Sequence, residues 1–347
     1  MNSSSNAIMA KVRSMYGHSF QEKDYLMLLH KKNESEVASF LQNSDLFHDC
    51  LMGINVKAIH RGQLEVLIRT EIFHRINKLI RYMEGSGKHL VHNLISNTEI
   101  ELIMMKIRAL SSGNLVLRED LITHIPLYVS QYSSFDFMGL SNVSNFEELL
   151  TLLKKTAYVS VLKLYGSKPI EELDFVTLEH RLHEKMDEET MSYIRQFGSE
   201  DTQKKMNEIL RIGIELENIR VIYRLKKYFQ VNPEQIRPLL MKQTAYIPWT
   251  KLMEWVDQLT ADQILEKLHQ TRYKKYIGMT HFQYIEHFTK RIQYELNRHF
   301  MYQESNPNIL MFAYIHLSEI EIQNLIDIIE AVHYGISQEK TKALLIY

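Results

Sequence analysis

Apolar residues recur along this chain with the spacing of helix faces rather than the alternation of strands. Ile322, Leu325, Ile329 and Val332 follow a 3, 4, 3 rhythm, which lays them along one stripe of an α-helix. Ile103, Ile107 and Leu110 do the same before a Ser111-Ser112-Gly113 stop, and Leu216, Ile219 and Ile222 keep phase up to Lys226. Glu147 to Leu164 and Trp249 to Leu268 read as further amphipathic helices. Turn residues collect at Gly85-Ser86-Gly87, Ser141 to Asn145, Ser167-Lys168-Pro169, Asn232-Pro233 and Ser305 to Asn308, and mark the breaks. No strand pattern runs longer than a few residues. The chain is predicted to be all-α.

The pattern also repeats over long distances. Ile100-Glu101-Leu102-Ile103 resembles Ile214-Glu215-Leu216-Glu217 and Ile320-Glu321-Ile322-Gln323, with the shared glutamates Glu101, Glu215 and Glu321 at intervals of 114 and 106. Leu64-Glu65, Leu178-Glu179 and Ile285-Glu286 lie upstream at intervals of 114 and 107. Further upstream come Leu41-Gln42-Asn43-Ser44, Leu153-Lys154-Lys155-Thr156 and Leu268-His269-Gln270-Thr271, each followed two places later by Leu46, Tyr158 or Tyr273. Three markers in one order at nearly constant spacing predict a threefold tandem repeat of about 110 residues. The units expected are 1–131, which includes an N-terminal helix, 132–245 and 246–347.

Composition agrees. The 347 residues hold 12 Gly and 6 Pro, where average usage would give about 24 and 17, so the chain is poor in helix breakers. Lys and Arg number 41 against 42 Asp and Glu, which argues against a general nucleic-acid binder. The single cysteine, Cys50, excludes an internal disulfide and suits a reducing compartment. The longest uncharged run, Leu121 to Phe135, is too short and too polar to span a bilayer. Ser3 to Ala10 contains no apolar stretch long enough for a secretory signal, so none is expected there.

Several motifs suggest chemistry and fall short of it. Gly85-Ser86-Gly87-Lys88 lacks the earlier glycine and the following Ser or Thr of a phosphate loop, since Tyr82 and His89 stand there. Glu179, His180, His183 and Glu184 could offer metal ligands on a helix, but no zinc-protease spacing is met. The units at Glu65 and Glu286 carry no matching histidine pair. Cys50 has no evident partner base. Asp187-Glu188-Glu189 reads as an acidic helix face. No cofactor is expected. The repeated glutamates remain, most simply as carboxylates that bond helix ends or basic side chains within each unit. For Glu101, Glu215 and Glu321 the expectation is a place in the first turn of an apolar helix, facing its dipole.

The opening Ala10-Lys11-Val12-Arg13-Ser14-Met15, then Asp24-Tyr25 and Leu28-Leu29, resembles the start of the C subunits of bacterial and archaeal A/V-type ATPases, a family that includes the d subunit of the eukaryotic vacuolar enzyme. The Leu-x-x-Ser/Thr elements, the Leu-Glu segments and the helix around Glu321 to Leu325 are similar to that family as well. Met104 stands where Asn218 and Asn324 stand in the other units, and Pro126-Leu127-Tyr128 and Pro238-Leu239-Leu240 lack the glycine common after such prolines.

The resemblance implies three similar helical domains around a pseudo-threefold axis, shaped like a funnel. It also implies a peripheral, non-catalytic subunit on the cytoplasmic face of the membrane. Its partners would be the central shaft, made of the D and F subunits, and the membrane rotor ring of proteolipid subunits. The repeated glutamates would then either hold their own units together or grip a partner near the axis. Two other classes predict different features. An unrelated repeat scaffold would show periods of 34 to 47 residues. A metal-dependent helical enzyme would need Asp187, Glu188 and Glu189, or His180 and His183, to converge with other carboxylates.

Overall fold

The computed structural model describes residues 3–80, 87–113, 133–166, 169–196, 199–277 and 284–347. Every element among them is helical. The Gly85-Ser86 turn and the Pro126-Leu127-Tyr128 segment lie outside the described residues.

After α1 (Ser3–Gly17), one order of elements occurs three times: short helices, then two long ones. The first set is α2 (Glu22–Leu29), α3 (Glu34–Gln42), α4 (His48–Leu51), α5 (Arg61–Ile80) and α6 (Gly87–Ser112). The second is α7 (Phe137–Asn142), α8 (Phe146–Leu152), α9 (Tyr158–Leu162), α10 (Phe175–Ile194) and α11 (Glu200–Lys227). After α12 (Pro233–Ile236) the third is α13 (Trp249–Gln258), α14 (Ala261–Leu268), α15 (Lys274–Ile277), α16 (Ile285–Gln303) and α17 (Pro307–Tyr334), with α18 (Gln338–Lys342) at the end.

Local chemistry explains these boundaries. Asn33, Asn145 and Thr260 accept the backbone N–H of Glu36, Glu148 and Gln263 and so cap α3, α8 and α14. The same Glu and Gln side chains reach back to Lys32, Ser144 and Thr260 N–H groups, satisfying donors that a helix start leaves open. Thr260 thereby splits the run from Trp249 to Leu268 into two helices. Glu147 to Leu164 is likewise broken, between α8 and α9. Pro307 occupies the first turn of α17, where a missing N–H costs nothing, and Gly335 closes that helix at φ 65°.

The chain forms two compact units. One comprises Met1–Tyr82, Lys204–Gln230 and Gln243–Tyr347, and the other Met83–Gln203 and Val231–Lys242. In the first, α17 is the central helix and packs on α16, α5 and α1. Its Ile309, Leu310, Leu325, Ile328 and Ile329 are fully buried, which explains why its sequence is apolar around most of its circumference. In the second, α6 packs on α10, with Ile100, Ile103, Leu149, Leu162, Leu178 and Leu182 in its core.

Candidate functional site

The repeated hydroxyls do one job three times. Ser44, Thr156 and Thr271 donate to the carbonyls of Leu41, Leu153 and Leu268, at 2.6, 2.8 and 2.7 Å. The Leu-x-x-Ser/Thr spacing is therefore a helix ending, in which the hydroxyl takes a carbonyl the helix no longer uses. Each turn delivers a fully buried aromatic ring: Phe47, Tyr158 and Tyr273. Leu46, the position expected from strict spacing, is only half-buried. Each ring meets a second from the start of its own repeat: Phe20 on Phe47, Phe135 on Tyr158 and Tyr246 on Tyr273, with centroids 5.5, 6.5 and 5.2 Å apart.

Against each ring pair stands a buried carboxylate from the long helix of another repeat. Glu215, on α11, accepts the N–H groups of Ala245, Tyr246 and Ile247 at 2.8, 3.2 and 3.0 Å and the Tyr273 hydroxyl at 2.6 Å. Glu99, on α6, accepts the Ser134 N–H at 2.7 Å, the Ser133 hydroxyl at 2.8 Å and the Tyr158 hydroxyl at 2.6 Å. Glu321, on α17, accepts the Phe20 N–H at 2.9 Å and the Arg75 guanidinium at 2.7 Å. Each glutamate thus fastens one repeat's last helix to the entry of the next repeat, and the third fastens the last repeat to the first. Burial and the adjacent carboxylate together push the Tyr158 and Tyr273 phenols well above their ordinary range, so both remain donors.

Two expectations change here. The buried residue of the first repeat is Glu99, fully buried, whereas Glu101 is exposed. The Ile-Glu match aligned the wrong turn face, because Ile100 and Ile214 are similar in kind but not in place. In the corrected register Leu102, not Met104, stands where Asn218 and Asn324 stand. Nor do these carboxylates face a helix dipole. They lie near the middle of helices of 26, 28 and 28 residues, and their partners are the N–H groups of neighbouring segments.

The second set of glutamates rims the same joints. Glu179 pairs with Arg108 of α6 at 2.6 Å, and Glu286 with Arg224 of α11 at 3.6 Å. Arg108 and Arg224 follow Glu99 and Glu215 by nine positions. Nine positions after Glu321 the residue is acidic, Glu330, and the cation comes instead from α5: Arg61 lies 2.7 Å from Glu65 and 3.6 Å from Glu330. The pairs are partly exposed, so they contribute specificity of pairing more than stability.

The joint at Glu321 is built differently inside as well. Phe47 carries no hydroxyl, and Arg75, 2% exposed, lies over its ring at 5.2 Å and reaches Glu321 in its place. Glu71 flanks the guanidinium at 3.5 Å. Burial opposes the Arg75 charge, but Glu321 and Glu71 outweigh burial and hold it protonated. Burial raises the Glu71 carboxyl above its ordinary range. Asn324, one turn beyond Glu321, exchanges two hydrogen bonds with Ile346, at 2.7 and 3.0 Å.

The other candidates stay apart from these joints or inert. His180 is held below its usual pKa by burial, and no group of three or more His, Cys, Asp or Glu side chains converges on a metal site among the described residues. Glu189 pairs with Lys185 on its own helix. Burial and the nearby Glu71 charge push the Cys50 thiol up to about 12, far from a reactive thiolate. At the joints Glu99, Glu215 and Glu321 are held by short hydrogen bonds from distant segments, a device for fixing segments rather than for moving protons.

The described residues are all-helical, with one order of helices occurring three times and a buried carboxylate of a long helix holding a distant chain segment at three places. The model of the family described as ATP synthase (C/AC39) subunit matches residues 8–344, and the chain belongs to that family. The C subunit of the A-type ATP synthase of Methanosarcina mazei is 21% identical over 263 residues, covering 76% of this chain and 69% of that protein. No helix among the described residues is long and apolar enough to cross a membrane.

Proposed function

We propose that this chain is a non-catalytic central-stalk subunit of a rotary A/V-type ATPase, a socket between the shaft and the membrane rotor ring. The observation that carries this reading is the family match over nearly the whole chain. The joints supply the physical reason it suits the role. A part that transmits torque must not unwind between its units, and a buried carboxylate gripped by several short hydrogen bonds resists that better than apolar contact alone. Scarce glycine and proline limit hinges further.

In this reading residues 1–131, 132–245 and 246–347 form three similar domains around a pseudo-threefold axis, making a funnel. The D and F subunits of the shaft dock into the funnel, and the ring of proteolipid subunits lies beneath it on the cytoplasmic face of the membrane. Ser44, Thr156 and Thr271, with Glu65, Glu179, Glu286, Glu215 and Glu321, serve structure and not partner binding. A ring of many identical subunits cannot match three units contact for contact, so the lower surface is broad and tolerant. The chain itself neither binds nor hydrolyses ATP.

The test is a tagged chain recovered from solubilised membranes. Co-purification of the catalytic head, the shaft and the ring subunits is expected. Membranes lacking the chain should hydrolyse ATP in a detachable head but pump no ions. Recovery without any ATPase subunit would remove the proposal.

A further inference from the structure

The Glu321 joint holds more polar atoms than its own side chains satisfy. Glu71 Oε2, Arg75 Nε and Nη2, the Tyr314 hydroxyl and the Ser318 hydroxyl are all buried without a well-formed hydrogen bond in the protein; the near approaches include His74 Nδ1, 3.5 Å from Glu71 Oε2, and the Tyr314 and Ser318 hydroxyls to one another. They are five of the eight such side-chain atoms among the described residues, and all come from the facing helices α5 and α17. Glu71, Arg75, Tyr314 and Ser318 are each at most 2% exposed. Native proteins rarely leave buried polar atoms unpaired, and five left dry would remove a large share of a fold's marginal stability.

We propose that ordered water is built into this joint, bridging Glu71 Oε2, the unused N–H groups of Arg75 and the hydroxyls of Tyr314 and Ser318. The mixture of groups selects water over an ion. Two N–H donors face one carboxylate acceptor and two hydroxyls able to play either part, and water alone donates and accepts at once. A cation would meet the free N–H groups of Arg75, and an anion would meet Glu71 and Glu321. Water also explains how one guanidinium serves two carboxylates. Nη1 bonds Glu321 directly at 2.7 Å, while Nε lies 3.5 Å from Glu71, a distance too long for a strong bond.

The sign of two substitutions tests this in the full chain. A dry hydroxyl is a burden whose removal stabilises the protein, whereas a hydroxyl that holds water is a partner whose loss destabilises it. Tyr314→Phe and Ser318→Ala should therefore each lower the melting temperature, by about 1–2 °C for a chain of this size. Unchanged or raised melting in both would overturn the proposal. Melts repeated at constant ionic strength with sodium exchanged for choline, and chloride for gluconate, should coincide. A rise specific to one ion would assign the site to that ion instead. A crystal structure near atomic resolution should show density linking the four side chains, and continuous apolar packing there would also refute it.

Discussion

The joints at Glu215 and Glu321 meet the same demand with different chemistry. Glu215 is neutralised by dispersed partial charges, from three N–H groups of one chain segment and a phenol. Glu321 has one N–H and a full positive charge. Part of the difference lies in a single ring: Tyr273 carries the hydroxyl that Phe47 lacks, and Arg75 stands in its place, while the backbone supplies three N–H groups at one joint and one at the other. A full charge brings requirements of its own. It needs Glu71 for balance, and it leaves N–H groups over. Distributed donors are self-contained, whereas an imported charge spreads its consequences through the surrounding core.

The largest expected effect comes from breaking the charged joint. Arg75→Ala leaves Glu321 and Glu71 buried without their cation and should cost about 3–5 kcal/mol, measured by urea denaturation. A loss below about 1 kcal/mol would show that Glu321 is held by the backbone, as Glu215 is. The distributed joint should yield less to any one change. Tyr273→Phe and Tyr158→Phe each remove one hydrogen bond to a charged group and should cost about 1.5–3 kcal/mol in the same assay.

Acid titration probes the charged joint through Glu71. The Glu71 carboxyl is raised, so between the ordinary carboxylate range and its raised value the folded chain binds more protons than the unfolded one. Its contribution to stability therefore falls as pH rises through that window. Glu71→Gln removes the titration, so the variant's melting temperature relative to the parent should climb as pH rises above the ordinary carboxylate range. A constant difference would show that Glu71 titrates ordinarily. The smallest effect is expected at Glu101. Because Glu101 is exposed and Glu99 fully buried, Glu101→Gln should lower the thermal melt less than Glu99→Gln does; equal responses would undo the register shift between them.

Much of this was legible in the chain itself. Helix periodicity fixed the class, because a 3.6-residue repeat of apolar positions is a local property. The Leu-x-x-Ser/Thr element was legible for the same reason: its hydroxyl bonds a carbonyl three residues back. The capping residues Asn33, Asn145 and Thr260 lie eleven positions before those hydroxyls and could have been found by the same count. Glu99 was hard to separate from Glu101 because the two flank Ile100 on one helix; the arginine nine positions after Glu99 and Glu215 is the one count that favours Glu99, and packing against α10 decides which face is inward. Arg75 gave no signal. It has no counterpart in the other repeats, and its partner Glu321 lies 246 positions away. The sequence by itself determined where helices begin, end and repeat, because those depend on neighbours along the chain. Which carboxylate is buried, and what neutralises it, was decided only when distant helices met, because the cost of burying a charge depends on every donor that packing brings to it.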